Sequence, residues 1–126
     1  MSVTLTKPSD ADVLPVSITV EYDNYYEPHG EPDIIEWEYE QINSHKYAAY
    51  TVSVRVVGPV EREASSDGRF VELTDTGTYK DAAEIQDPYL REVAEELIAE
   101  VRGGYLDDLK RTRDEITALI SRLEGI

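Results

Sequence analysis

The side chains that could do chemistry are few in kind. Two histidines, His29 and His45, and no cysteine accompany 27 acids and 12 bases in a chain of 126 residues. A cysteine nucleophile, a disulfide and a thiolate metal site are therefore excluded. A Ser-His-Asp arrangement needs three groups brought together in space, and no nucleophile-elbow motif occurs. Gly103-Gly104 falls within helical spacing and lacks the lysine of a phosphate-binding loop. His29, Glu31 and Asp33 are close enough in sequence to share a hard cation or zinc. Their spacing matches no standard loop, however, and Pro32 restricts it, so a hydrated acidic loop is expected, with no metal and no cofactor.

Carboxylates are plentiful enough to test two further chemistries. Pro32-Asp33 with Glu38 or Glu40 could begin the constellation of a Pro-Asp…Glu-x-Lys nuclease. The required lysine is missing, because Glu40 stands two residues after Glu38 and Ile42 two after Glu40. Paired carboxylates could also hydrolyse a glycoside, but so short a chain leaves little room for a sugar cleft. The expectation is a protein that is not an enzyme.

What the carboxylates do form is a field. The net charge is −15, and the run from Pro8 to His45 holds ten acids and no lysine or arginine. From Asp81 onward, twelve acids are mixed with six bases. Such a balance opposes binding to nucleic acid or to anionic membranes, and favours a basic partner. Read as a strand, the run around Trp37 places Glu36, Glu38 and Glu40 on one face at roughly 6.8 Å intervals. Each neighbouring pair would then repel by only about 0.6 kcal/mol in water, so a solvated sheet face tolerates the row. The same row, with Glu27, Glu31 and Asp33 beside it and Tyr25 and Tyr26 as aromatic anchors, would suit a groove built for phosphates.

Several elements must position these residues. Val16–Tyr22 alternates as a strand, with Val16, Ile18, Val20 and Tyr22 on one face. Pro28, Gly30 and Pro32 make the next stretch a loop. Strands are expected at Ile34–Ile42, Tyr47–Val57 and Arg69–Thr74, with a turn at Ser65-Ser66-Asp67-Gly68. Asp87-Pro88 reads as an N-cap and first helical residue. Leu90, Val93, Ala94, Leu97, Ile98 and Val101 follow at helical spacing. The glycine pair is expected to end or interrupt that helix, and a second is expected over 105–123.

The second helix carries Leu106, Leu109, Arg113, Ile116, Ile120 and Leu123 at alternating spacings of three and four. This stripe is one position out of phase with the first, about 100° of rotation. Either the chain folds back at the glycines, or the second stripe faces another surface. A second subunit is one such surface, with Leu109, Arg113, Ile116, Ile120 and Leu123 as its contacts and a homodimer as the result. The stripe spans fewer turns than a coiled-coil signature requires, so ordinary core packing competes with that reading. The expected fold is α+β: an antiparallel β-meander of three to four strands followed by two C-terminal helices, in one domain over 1–126, mainly β to residue 80 and helical from 81. The first residues hold no continuous apolar run, so no signal peptide is expected. No apolar run is long enough to span a bilayer, and the expected location is the cytoplasm.

The segment Val20-Glu21-Tyr22-Asp23-Asn24-Tyr25-Tyr26-Glu27-Pro28-His29-Gly30-Glu31-Pro32 resembles tyrosine-rich hairpins of small acidic accessory proteins of tailed bacteriophages. Size and charge resemble phage-encoded inhibitors of host defence, including DNA-mimicking antirestriction and anti-CRISPR proteins. The resemblance covers about a dozen residues and overall composition, and no residue's role transfers with it. It implies a binding role: occupation of a basic, nucleic-acid-binding surface of a host protein, in the host cytoplasm. Two other readings stand beside it. One is an assembly protein that self-associates through its C-terminal helices, and the other is an ordinary protein of a high-salt habitat.

Overall fold

The computed structural model describes residues 15–58 and 60–125. Asp10 and Asp12 of the acidic run lie outside them. Strands β1 (Val16–Tyr22), β2 (Tyr47–Val56), β3 (Glu63–Glu72) and β4 (Gly77–Tyr79) form one antiparallel sheet in the order β3-β2-β1-β4. Helix α1 (Pro32–Asn43) separates β1 from β2. A 3-10 turn (Ala82–Glu84) leads into helix α2 (Pro88–Glu124), which is 37 residues long. The fold is α+β. The meander holds for β1 to β3, while β4 crosses back to the free edge of β1.

Alternation in β1 and β2 builds the core. Val16, Ile18 and Val20 face Val56, Val54 and Val52 across the ladder. Both sets are buried beneath Leu90, Val93, Ala94, Leu97, Ile98 and Val101 of α2. Asp87 starts that helix, its Oδ1 accepting the Leu90 N–H at 2.9 Å ahead of Pro88. Tyr50 is fully buried, and its hydroxyl both donates to the Thr74 carbonyl (3.0 Å) and accepts the Thr74 N–H (2.8 Å). This pair of hydrogen bonds anchors the crossing from β3 to β4.

Three expectations need correction. The segment expected as a strand at Ile34–Ile42 is helix α1. Its alternating Ile-Glu-Trp-Glu-Tyr-Glu pattern fits period two, but glutamate favours helices and is depleted in strands. Pro32 occupies the first turn, and Asp33 there complements the helix dipole. The far end closes as a Schellman motif: the Lys46 N–H bonds the Gln41 carbonyl and the His45 N–H bonds the Ile42 carbonyl, with His45 left-handed at φ 58.

Ser65-Ser66-Asp67-Gly68 is not the turn between strands. Tyr50 pairs with Arg69 and Val52 with Ser66, so Asp67 and Gly68 together oppose Thr51. This is a β-bulge inside β3, with Gly68 supplying the positive φ of 68. The chain reverses between the end of β2 and the start of β3, where the Val56 N–H bonds the Arg62 carbonyl. Nor do the two glycines break the last helix, since α2 runs through Gly103 and Gly104 unbroken. A Cβ at Gly104 would collide with the Arg62 guanidinium. Arg62 crosses the helix there to reach Asp108 at 2.9 Å, so Gly104 provides a close approach rather than a stop.

Candidate functional site

Tyr47, Ala49 and Phe70 alternate with core-facing Ala48, Tyr50 and Val71 and so belong to the other side of the sheet. Helix α1 covers that end. Trp37 meets Tyr47 and Phe70 edge-on, at 5.3 and 6.0 Å between ring centroids. Tyr26 stacks on Phe70 at 5.8 Å, and Phe70 on Tyr47 at 5.4 Å. The loop before α1 is tied down by Asp23. Its carboxylate accepts the Tyr25 N–H at 3.0 Å and the Gly68 N–H of the bulge at 2.9 Å. The rest of this face is open and rich in hydroxyls, with Ser17, Thr19, Ser53 and Thr78 beside Arg55 and Glu63.

A helix redistributes the acids that period two would have aligned. Residues two apart on a helix point about 200° from one another, so Glu38 turns away from Glu36 and Glu40. It faces inward and accepts the Tyr26 hydroxyl at 3.0 and 3.1 Å. Burial, reinforced by the Glu38 and Asp23 carboxylates, pushes the Tyr26 phenol up to about 12. Asp33, Glu36 and Glu40, spaced three and four apart, share the outer face instead and are all exposed. The row of Glu36, Glu38 and Glu40 therefore does not exist as a row. Its place is taken by Asp33, Glu36 and Glu40, with exposed Glu27 and Glu31 on the approach.

The aromatic anchors divide in the same way. Tyr25 is 94% exposed, whereas Tyr26 is an internal prop of α1. Sequence reasoning missed Ile34, Trp37 and Tyr39 as surface residues. They are 48%, 46% and 49% exposed, and no residue of α1 is buried. An amphipathic helix ordinarily hides such side chains. Helical spacing of Asp33, Glu36 and Glu40 was the signal that could have found this surface. His29, Glu31 and Asp33 do not converge; among the described residues no three histidine or carboxylate side chains are placed to hold a metal ion.

The C-terminal stripe behaves differently again. Leu109 still packs against the core, but from Arg113 to Gly125 every residue of the chain is exposed. Leu106, Ile116, Leu119, Ile120 and Leu123 are 48–62% exposed. Arg113 pairs with its own neighbour Asp114 at 3.2 Å. This half of α2 projects from the body as an arm. Among the described residues no helix is long and apolar enough to cross a membrane. Comparison with protein families, characterised proteins and solved structures finds no match to this chain.

Proposed function

We propose that this is a non-enzymatic binding protein whose acidic, aromatic α1 side occupies a basic, nucleic-acid-binding surface of a partner protein. The observation that carries the reading is α1 itself. It holds Asp33, Glu36 and Glu40 on an outer face while leaving Ile34, Trp37 and Tyr39 about half exposed. Between residues 15 and 45 there are eight acids and no lysine or arginine. Carboxylates alone would serve solubility. Carboxylates set around exposed tryptophan, tyrosine and isoleucine form a surface with both steering charge and desolvatable anchors. A groove lined by lysine and arginine matches the charge, as it matches phosphate.

The test is capture from a cell lysate on immobilised protein, with and without competing duplex DNA. Partners displaced by DNA and by moderate salt, and lost with the Asp33→Lys/Glu36→Lys/Glu40→Lys variant, support the reading. Removing any one of the three carboxylates is expected to weaken binding several-fold, mainly through slower association. Capture indifferent to both DNA and the triple variant would refute it.

A further inference from the structure

Beyond Leu109, which still packs against the core, the arm of α2 is a helix whose apolar side chains are exposed, and its pattern specifies what fits it. Leu106, Leu109, Arg113, Ile116, Ile120 and Leu123 are spaced three, four, three, four and three residues apart, a sequence that reads the same in both directions. Two such arms laid antiparallel, with Leu106 of each against Leu123 of the other, place Leu109 opposite Ile120 and Arg113 opposite Ile116. No position of the seam is left over. Alternate three-and-four spacing is what two helices need to interlock side chains.

Charge selects both the occupant and the direction. Residues 106–124 contain five acids and four bases, in a chain whose net charge is −15. The arm is thus nearly neutral in a strongly acidic molecule, and a second copy meets little repulsion there. Parallel pairing would stack Arg113 on Arg113 and set the two acidic bodies side by side. Antiparallel pairing puts Arg113 against isoleucine, with Asp114 at 3.2 Å as its own counter-charge. It also holds the bodies at opposite ends of an overlap about 27 Å long, beyond a Debye length of about 8 Å at physiological salt.

We infer that the protein forms an antiparallel homodimer through this arm, with the exposed Leu106, Ile116, Ile120 and Leu123 as the seam and half-buried Leu109 where the seam meets the body. The pairing is independent of what α1 binds.

Because the chain has no cysteine, introduced thiols report the geometry directly. In a mixture of Leu106→Cys and Leu123→Cys proteins under mild oxidation, the expected disulfide joins one variant to the other, and neither forms it alone. Light scattering on the unaltered chain is expected to show its mass double with concentration. Ile120→Glu, at an exposed position, should hold the mass at the monomer value with the helix content of circular dichroism unchanged. Disulfides within each variant alone would overturn the antiparallel register. A mass that stays monomeric at high concentration, without cross-linking, would overturn the dimer. The α1 triple variant is expected to dimerise normally, so the failure of one proposal is distinguishable from the failure of the other.

Discussion

Glu38 differs in surroundings from Glu36 and Glu40 because a helix turns it inward, where its carboxylate accepts the Tyr26 hydroxyl. The consequence is readable in pH. Tyr26 ionises near 10 in an unfolded chain and at about 12 in the folded one, chiefly through burial and then through Glu38. The folded protein therefore keeps this proton where the unfolded chain has lost it. Its contribution to stability is complete below pH 10 and disappears as pH rises towards 12. Burial pushes Tyr50 up as well, so ultraviolet titration should show two late tyrosines, one of them Tyr26. Glu38→Gln removes the carboxylate's charge and should bring that tyrosine part of the way down, since burial remains. In denaturant unfolding it should cost less than the roughly 1 kcal/mol of a whole hydrogen bond, because the amide oxygen still accepts the Tyr26 hydroxyl. A tyrosine titration unchanged in the variant would mean that Glu38 does not hold Tyr26.

At the scale of elements, α2 shows how glycine can mark an approach instead of an end. Nothing lies within 4 Å of a Cβ placed at Gly103, whereas one at Gly104 meets the Arg62 guanidinium. Gly103→Ala should therefore stabilise by about 1 kcal/mol, the full helix-propensity difference, and raise the melting temperature by roughly 3–5 °C. Gly104→Ala gains the same propensity but displaces Arg62 from Asp108, and should gain clearly less. Equal gains in thermal denaturation would show that the Arg62 crossing contributes nothing. In helix α1 the two ends are decisive as well. Its alternating pattern satisfies a strand and its composition satisfies a helix. Pro32 suits a first helical turn, and a left-handed His45 closes the last.

For the whole molecule, net charge governs the response to salt. A net −15 stores self-repulsion that salt relieves as the Debye length falls from about 30 Å at 0.01 M to about 8 Å at 0.15 M. The melting temperature should rise over that interval and flatten beyond it. A melting temperature that keeps climbing through molar salt would instead favour the high-salt habitat. Separation of charge also organises the molecule. Asp33, Glu36 and Glu40 share the outer face of α1, while the arm of α2 is nearly neutral.

The sequence by itself determined the composition of each surface: the base-free acidic run, the alternating valines of β1 and β2, the Asp87-Pro88 helix start, and two apolar stripes out of phase. These follow from residue type and local spacing, which a chain carries before it folds. Tertiary structure decided which way each stripe faces. The bulge at Gly68 depends on pairing with β2, the passage of α2 through two glycines depends on Arg62 arriving from a distant turn, and the inward turn of Glu38 depends on Tyr26. Such contacts join residues far apart in the chain, so no local pattern records them. The acidic surface keeps its place in the chain and changes its geometry, from a strand row of Glu36, Glu38 and Glu40 to a helical face of Asp33, Glu36 and Glu40. The second stripe, left between core and interface by its spacing alone, keeps Leu109 against the core and is exposed from Arg113 onward, a division that only packing decides.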